Sequence, residues 1–380
     1  MTASDEQFDR AMLDLAARAA WRADGYVGAN PLVGAAIVKG GRVIGLGHHR
    51  RFGDAHAERA AIDDCLRRGE DARGATVYVT LEPCAHTGKQ PSCADLLIRS
   101  GVAEVVCARR DPNPLAAGGA KRLLDAGIAV RFTGVSRLAN SLADPFVKRI
   151  STGLPWVIAK WAQTIDGRIA TRSGESKWIS NDRSRRRVHR IRAKVDAVLT
   201  GMGTVLADDP MLTARDVRRV RTRAIRVVAD SDLDIPETSA LVRTAKEAST
   251  IVFCEKELAT AEITREKRER LAGMGVRVVG VPSRGTGIDL RELLCVLGKQ
   301  FGVSTVLVEA GPGLLGSMID GDLVDEMCVY IAPMMLGDEM ARSAAAGRIA
   351  PTLAAAHRYE LMRAKRIGND LEVVYRRKGR

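Results

Sequence analysis

The stretch Thr80-Leu81-Glu82-Pro83-Cys84 decides the fold of the first half of the chain, together with His56-Ala57-Glu58 before it and Cys93 after it. The apolar run at residues 76–81 predicts a buried strand that ends at these polar residues. Residues 56–68 predict a helix before that strand, and a second helix follows it. Strands that alternate with helices are typical of an α/β layer fold, and we expect a mostly parallel sheet behind an initial hairpin.

The other segments of the first half continue this alternation. An opening amphipathic helix is indicated by a capping box of Ser4 and Gln7 and by Phe8, Met12, Leu15 and Ala19 at helical spacing. Residues 33–39 and 42–46 predict a hairpin joined by Gly40-Gly41. Further helices are predicted at residues 94–99 and 120–126, and further strands at 105–108 and 128–132.

A second alternation follows a break in the chain. Asp144-Pro145 and Thr152-Gly153-Leu154-Pro155 are turn signals around a short basic stretch. We place a domain boundary near residue 148, which gives domains at residues 1–147 and 148–380. The second domain has predicted strands at residues 156–162, 197–199, 225–229, 250–254, 277–281, 305–309 and 326–331, helices at 180–194 and 290–301, and a helix after residue 309.

His56, Cys84 and Cys93 offer one imidazole and two thiolates, which is a typical zinc ligand set. A catalytic zinc needs three protein ligands and an open position for water. We expect both cysteines to lie where helices begin, because the helix dipole favours thiolates there. Glu58 is not needed as a ligand, and its carboxylate is placed to shuttle protons. The alternative is a satisfied helix histidine and two buried thiols.

The order His-x-Glu, Pro-Cys and a second Cys is the pattern of the zinc nucleobase deaminases. Two residues commonly separate the cysteines in that pattern, and eight separate Cys84 from Cys93 in this chain. The other five cysteines lie in apolar periodic segments, and we expect them to be buried in the core. They are Cys65, Cys107, Cys254, Cys295 and Cys328.

Composition limits the class of protein. Hydrophobic residues make up 46% of the 380 residues and charged residues 28%, which is ordinary for a soluble globular protein. Apolar runs fall short of the roughly 20 residues that a membrane span needs. The polar, acidic start lacks the pattern of a signal peptide, and seven scattered cysteines do not suggest disulfides. We therefore expect a cytoplasmic protein without a membrane partner.

The net charge of +13 suggests nucleic acid or small phosphorylated ligands as partners. An aromatic content of 4% weighs against a protein that binds single strands by stacking. Solvated surface charge is the simpler alternative, and we expect most arginines of the helix at residues 180–194 to lie on such a face.

Longer stretches of the first half resemble the family of bifunctional riboflavin-biosynthesis deaminase-reductases. They are Asn30-Pro31-Leu32-Val33-Gly34, His56-Ala57-Glu58, residues 80–86, residues 88–93 and Asp111-Pro112-Asn113-Pro114. The wide cysteine spacing belongs to this family, although Gln90 and Ser92 stand where Thr and Pro are usual. The resemblance implies a cytidine-deaminase-like, three-layer α/β domain.

The resemblance continues through the second half. The matching stretches are residues 160–170, Ser176-Lys177-Trp178-Ile179-Ser180, residues 196–215, residues 308–313 and Leu323-Val324-Asp325-Glu326, with Ile165 in place of the usual Leu. It implies a dihydrofolate-reductase-like α/β domain that uses NADPH. Residues 311–316 also predict a glycine loop between a strand and a helix, where backbone amides can approach a pyrophosphate.

The resemblance assigns further residues to ligands. It implies NADPH contacts at Ala162, Trp178, Thr204, Asp208, Ser231, Gly311, Pro312, Gly313, Leu314, Leu315, Gly316 and Ser317, with Thr204 and Asp208 predicted to flank a turn. It implies substrate contacts at Asn30, His49, Lys89, Ser176, Arg192, Leu212, Arg215 and Glu309. Arg192 and Arg215 match substrate-phosphate contacts, for which guanidinium groups are well suited.

The implied activity is two successive steps of riboflavin synthesis. A zinc-dependent deamination of a diaminopyrimidinone ribosyl phosphate is followed by NADPH-dependent reduction of its ribosyl chain to a ribityl chain. Lys160 and Asp208 are the candidates for an acid in the second step. The expected partner is this small phosphorylated pyrimidine rather than nucleic acid, and a homo-oligomer is compatible with the sequence.

Two alternatives remain at this point. One is a tRNA or nucleoside deaminase with an accessory domain, which the cysteine spacing and the second half oppose. The other is a non-enzymatic, zinc-stabilised module that binds nucleic acid. That module leaves Glu58 unexplained and predicts a closed site with four protein ligands.

Overall fold

The computed structural model describes residues 3–86, 91–285, 287–347 and 350–377. The chain divides between Gly153 and Leu154 into two compact units. The basic stretch in which the sequence places the boundary lies within the helix Asp144–Thr152. The turn signals on either side of that stretch are therefore the two ends of a helix.

The first unit is a three-layer α/β sandwich. Its elements are α1 (Ala3–Ala20), β1 (Gly34–Lys39), β2 (Arg42–His48), α2 (Ala57–Arg67), β3 (Thr76–Val79), α3 (Cys93–Arg99), β4 (Glu104–Cys107), α4 (Gly119–Asp125), β5 (Ala129–Phe132), α5 (Arg137–Leu142) and α6 (Asp144–Thr152). The sheet order is β2-β1-β3-β4-β5, antiparallel up to β3 and parallel beyond it. Helices α2, α3 and α4 pack on one face, and α1 and α5 pack on the other.

Helix α1 differs from its prediction in its start and its buried face. It begins at Ala3, so Ser4 lies inside the helix and does not cap it. Of the predicted core residues, Ala19 is buried and Met12 packs against the core, whereas Leu15 is only partly buried and Phe8 is exposed. The core is also reached by Leu13 and by the small residues Ala16, Ala17 and Ala20. These small residues allow close approach, because a Cβ on Gly34 of β1 would lie 1.9 Å from the Ala16 carbonyl oxygen.

The second unit is built on a nine-stranded sheet. Its strands are β6 (Trp156–Gln163), β7 (Arg168–Ala170), β8 (Ala197–Gly201), β9 (Ile225–Ala229), β10 (Thr250–Glu255), β11 (Val276–Val281), β12 (Ser283–Arg284), β13 (Gly287–Ile288), β14 (Thr305–Val308), β15 (Glu326–Ile331), β16 (Arg342–Ser343), β17 (Tyr359–Ile367) and β18 (Asp370–Arg377). The order in the large sheet is β11-β10-β9-β8-β14-β6-β15-β18-β17. The strands from β11 to β15 are parallel, and β18 and β17 add an antiparallel edge.

Helices cover both faces of this sheet. They are α7 (Asp182–Arg192), α8 (Met202–Asp208), α9 (Ala240–Arg243), α10 (Arg265–Gly273), α11 (Leu290–Phe301) and α12 (Pro312–Asp320). One apolar core lies under α11 and α12, and a second lies under α9 and α10. Within the described ranges, none of the helices is long and apolar enough to span a bilayer.

Some elements of the second unit are not predicted from sequence. Thr204 and Asp208 lie on α8, so the predicted turn around them is a helix. Helix α10 is mostly charged, and β17 is mostly exposed, so neither shows an apolar period. Four of the five cysteines expected in the core are buried, whereas Cys295 is only partly buried against it.

Candidate active sites

His56, Cys84 and Cys93 converge in the first unit. The His56 Nδ1 atom lies 3.6 Å from Cys84 Sγ and 3.3 Å from Cys93 Sγ. All three ligand atoms lie within 4.8 Å of one another. Zinc bonds of roughly 2.0 Å to nitrogen and 2.3 Å to sulfur, in tetrahedral geometry, need separations of about 3.5 Å. The cluster therefore fits one zinc ion with three protein ligands.

The three ligands are delivered by different local structures. His56 is the N-cap of α2, and Cys93 is the first residue of α3. Cys84 lies in the loop after β3, so the prediction that it begins a helix is wrong. The start of α3 nevertheless stabilises the sulfur of Cys84, because the Cys93 backbone N–H donates to Cys84 Sγ at 3.4 Å. Ser92, which departs from the family pattern, caps α3 and donates to the Cys84 carbonyl.

The two thiols share a proton in this arrangement. A hydrogen bond from Cys93 and the neighbouring His56 lower the pKa of Cys84, although its burial opposes this. The same hydrogen bond and burial raise the pKa of Cys93. The arrangement therefore favours the thiolate at Cys84 over that at Cys93, and metal binding removes the thiol proton that remains.

Glu58 lies in the first turn of α2 and is almost fully buried. Burial raises the pKa of its carboxyl group, and the negative charge on Cys84 adds to this effect. A carboxyl group whose pKa is moved towards neutrality can both take and return a proton. The position beside the three-ligand cluster therefore suits a proton shuttle rather than a fourth ligand.

Asn30 and His49 lie beside the cluster. The His49 ring is buried, and its centre is 5.8 Å from that of His56. Its Nδ1 is 3.2 Å from the Ala55 carbonyl oxygen, so this nitrogen donates and Nε2 accepts from the Asn30 amide at 3.2 Å. Burial lowers the pKa of His49, which favours the neutral ring. Lys89 lies outside the described residues.

Glu82 has no role predicted from sequence, and the structure places it behind Cys84. This buried carboxylate accepts from the backbone N–H of Ala120 at 3.0 Å and of Asp111 at 3.3 Å. It thereby ties the Cys84 loop to the start of α4 and to the segment after β4. The packing is close, because a Cβ on Gly119 would lie 1.8 Å from the Pro83 carbonyl oxygen. A carboxylate directly before Pro-Cys is the sequence signal for this role.

The second unit contains a cleft of about 1610 Å³. Ten of the twelve predicted cofactor contacts line it, namely Ala162, Trp178, Thr204, Asp208, Ser231, Gly311, Pro312, Gly313, Leu314 and Ser317. All five substrate contacts predicted for this half also line it: Ser176, Arg192, Leu212, Arg215 and Glu309. Leu315 and Gly316 do not. Leu315 is buried in the core, and a Cβ on Gly316 would lie 1.9 Å from the Ala346 carbonyl oxygen.

The predicted glycine loop is mostly helical. Gly311 is the N-cap of α12, which begins at Pro312, and the Gly311 N–H donates to Thr204 Oγ1 at 3.0 Å. Cβ atoms built on Gly203 and Gly313 would point into open space in the cleft. Bare backbone beside a helix N-terminus leaves room for a phosphate group. These residues fit the pyrophosphate of a dinucleotide.

A partly buried charged cluster lies at one end of the cleft. The Arg192 guanidinium binds the Glu309 carboxylate through two nitrogens, and Lys160 Nζ lies 3.4 Å from Glu309 Oε2. Burial alone would raise the pKa of Glu309, but the charges of Arg192 and Lys160 lower it to about 2. Glu309 therefore stays ionised, and all three guanidinium nitrogens of Arg192 already donate within the protein, the third to the Thr213 carbonyl at 3.1 Å.

Other side chains of the cleft are also paired. Asp208 binds Lys177 at 2.9 Å, and Arg185 stacks over the exposed ring of Trp178 at 4.4 Å. Arg187 does not line the cleft, and it binds the buried Glu372. The predicted solvated face of α7 therefore holds for Arg183, Arg186 and Arg190, which are exposed, and fails for the arginines that are paired.

Comparison with protein families gives a match to each unit. Residues 6–109 match the cytidine and deoxycytidylate deaminase zinc-binding region. Residues 155–373 match the RibD C-terminal domain. The first match contains the three-ligand cluster, and the second contains the cleft.

Individual proteins match nearly the whole chain. A riboflavin biosynthesis protein RibD from Aquifex aeolicus is 40% identical over 333 residues, which cover 87% of this chain and 89% of that protein. The Escherichia coli protein of the same name is 42% identical over 322 residues, covering 82% and 83%. A crystal structure of a diaminohydroxyphosphoribosylaminopyrimidine deaminase/5-amino-6-(5-phosphoribosylamino)uracil reductase from Thermotoga maritima is 31% identical. It superposes with a TM-score of 0.80, covering 98% of this chain and 99% of that one.

Proposed function

The chain belongs to the RibD family of bifunctional riboflavin-biosynthesis deaminase-reductases, and we propose how its residues divide the two reactions. It is a deaminase and a reductase, with a zinc-binding deaminase domain and an NADPH-dependent reductase domain. Its substrate is a small phosphorylated pyrimidine. The observation that carries the assignment of residues is the three-ligand cluster with a buried, non-ligating Glu58 beside it.

In the deaminase, zinc is held by His56, Cys84 and Cys93. When bound, it supplies a Lewis acid that lowers the pKa of a water molecule in the open position. Glu58 would take one proton from the attacking water and pass it to the ring nitrogen, and would then pass the second proton of the same oxygen to the amino group, which leaves as ammonia. Its raised pKa supports this role, because each transfer needs a carboxyl group that readily changes its protonation state.

Asn30 and His49 orient the pyrimidine ring beside this cluster. The neutral His49 ring is fixed by the Ala55 carbonyl, so the Asn30 amide and the ring nitrogen keep one relative geometry. Lys89 holds the substrate by its charge. The bound compound is a free small molecule rather than nucleic acid.

In the reductase, the substrate and NADPH share the cleft of the second unit. When bound, NADPH supplies a hydride for the first carbon of the ribosyl chain. The bond from that carbon to the ring oxygen breaks, and the oxygen needs a proton. Of the two candidates, Lys160 is favoured over Asp208, because it lies beside the ionised Glu309 whereas Asp208 is paired with Lys177. Arg215 binds the substrate phosphate.

Each unit carries one complete reaction under this proposal. The zinc ligands and Glu58 all lie in residues 1–147, and every predicted reductase residue lies in residues 148–380. All seven cysteines are free thiols, and this supports the proposal that the enzyme acts in the reducing cytoplasm. A fragment that starts at Leu154 is expected to fold and to bind NADPH without zinc. A folded fragment without affinity for NADPH would contradict the division.

The substitution Glu58→Gln tests the assignment of the proton shuttle. An amide cannot cycle a proton, so ammonia release is expected to fall by about 10²- to 10⁴-fold while zinc content stays at one ion per chain. Reduction of the already deaminated compound is expected to persist. Asp63→Asn, at an exposed carboxylate of the same helix, is the matched control. Near-normal ammonia release from Glu58→Gln would remove Glu58 from the mechanism.

A further inference from the structure

The cleft of the second unit runs across the carboxyl ends of four neighbouring parallel strands, β6, β14, β8 and β9. Lys160, Arg192 and Glu309 lie at one side, on β6, on α7 and after β14. Ser231, two residues beyond the end of β9, lies at the other. Three strand spacings separate β6 from β9, which is about 14 Å. An extended dinucleotide is long enough to cross this distance.

The direction of the dinucleotide follows from the chemistry of the two sides. Hydride transfer needs the nicotinamide beside the substrate, and the predicted substrate contacts Arg192 and Glu309 are on the side of β6 and β14. The bare backbone at Gly203 and Gly313 occupies the middle of the cleft and suits the pyrophosphate. The adenosine ribose is therefore expected on the side of Ser231.

A short hairpin of β12 and β13 borders the cleft on that side. The Ile288 backbone N–H donates to Ser231 Oγ at 3.1 Å. A Cβ built on Gly287 would lie 2.9 Å from the same oxygen, so the hairpin rests directly on Ser231. Arg284 is the cross-strand partner of Gly287, and its side chain lines the cleft.

Arg284 is weakly engaged by the protein, in contrast to Arg192. Its side chain is 72% exposed, and its ion pair with Asp289 is long, at 3.9 Å. The Asp289 carboxylate is occupied as the N-cap of α11, where it accepts from the backbone N–H groups of Arg291 and Glu292. The guanidinium group of Arg284 thus faces the cleft with most of its donors turned to solvent.

We propose that Arg284 selects NADPH over NADH by binding the phosphate on the 2′-oxygen of the adenosine ribose, beside Ser231. A guanidinium group matches a phosphate dianion in both charge and geometry. NADH lacks this phosphate, so the contact discriminates between the two cofactors without touching the reacting ring. The inference rests on the proposed binding of NADPH in this cleft.

The test uses the full-length, zinc-loaded chain and fluorescence titration with NADPH and with NADH. Arg284→Ala is expected to raise the dissociation constant for NADPH about 10- to 100-fold and to leave that for NADH within twofold. The affinity of the competitor adenosine 2′,5′-bisphosphate is expected to fall by a similar factor in this variant, whereas the affinity of adenosine 5′-monophosphate is expected to stay unchanged. Arg284→Lys keeps the charge but loses the paired N–H donors of the guanidinium group. Its dissociation constant for NADPH is expected to lie between those of the wild type and Arg284→Ala.

Arg265→Ala is the matched control, because it removes an exposed arginine of the same unit that does not line the cleft. It is expected to leave both dissociation constants unchanged. An Arg284→Ala variant that binds NADPH as the wild type does, or that loses NADPH and NADH equally, overturns the inference and leaves the proposed function standing. A wild-type chain that binds neither dinucleotide overturns the proposed function and this inference with it.

Discussion

The zinc cluster and the reductase cleft are built in opposite ways. The cluster brings three ligand atoms within 4.8 Å of one another, with both cysteines buried and the acid Glu58 buried beside them. The cleft has a volume of about 1610 Å³, and Trp178, one of its lining residues, is 66% exposed. A metal ion needs a few ligand atoms at fixed separations, whereas a dinucleotide and a sugar phosphate together need a long cleft. A single substitution is therefore expected to abolish zinc binding or ammonia release in the first site, and in most cases only to weaken ligand binding in the second.

The largest effect is expected at the zinc ligands. Cys84→Ser and Cys93→Ser each remove a thiolate, and zinc content is expected to fall towards zero, with ammonia release lost as well. Metal analysis of the purified variants measures this. Cys295→Ser is the control, because Cys295 packs against the core of the second unit. Full zinc in both ligand variants would show that the ligand set is wrong.

Within the cleft, a single substitution is expected to have its largest effect at the partly buried cluster of Lys160, Arg192 and Glu309. Glu309→Gln leaves Arg192 and Lys160 without their shared carboxylate. Loss of one partner of a fully buried ion pair costs about 3–5 kcal/mol, and we expect a smaller cost at this partly buried cluster. The melting temperature of the second unit and the rate of NADPH oxidation are both expected to fall. Ammonia release should be unchanged. Glu237→Gln, at a surface ion pair of the same unit, should change neither.

Glu82 separates ligand identity from ligand positioning in the zinc site. Glu82→Gln keeps the shape of the side chain but turns an amide N–H₂ towards a backbone N–H, so the Cys84 loop loses one of its two ties. Zinc is expected to pass to a competing chelator about 10- to 100-fold more readily, as for other residues that orient metal ligands. Asp125→Asn, at an exposed acid of the same unit, is the control. Equal zinc retention in the two variants would leave Glu82 with a folding role only.

The smallest effect is expected at Lys89, a charged residue proposed to bind substrate. Lys89→Ala is predicted to raise the Michaelis constant for deamination a few-fold and to lower turnover less, because it removes a binding contact. Lys121→Ala, at an exposed lysine of α4, is the control. An unchanged Michaelis constant would remove Lys89 from the substrate contacts.

The same contrast explains what the sequence can predict. His56, Glu58, Cys84 and Cys93 carry their chemistry in residue type and spacing, so the cluster can be predicted from sequence alone. The parallel part of the first sheet, β3-β4-β5, follows from alternating strands and helices, whereas the antiparallel pairing of β1 with β3 does not. The position of Cys84 in a loop cannot be predicted in this way. A thiolate can be stabilised at the start of its own helix or, as here, by a backbone N–H of a neighbouring helix, and the sequence does not distinguish the two.

The cleft is harder to predict because it is assembled from segments far apart in the chain. The glycine-rich run at residues 311–316 indicates a loop, but Gly316 is required for close packing against Ala346. Arg192 resembles a phosphate ligand in sequence, yet its charge is largely used by Glu309. The partners of Glu82 and Arg284 become visible only when the backbone N–H groups and the hairpin that surround them are placed in space.

The most direct measurement follows ammonia release from the diaminopyrimidine substrate by the full-length enzyme, with and without NADPH. The account predicts one ammonia per substrate in both cases, with the deaminated compound accumulating when NADPH is absent and NADPH oxidation trailing ammonia release when it is present. Ammonia release that requires NADPH, or NADPH oxidation that precedes deamination, would contradict the assignment of the two reactions to two separate sites.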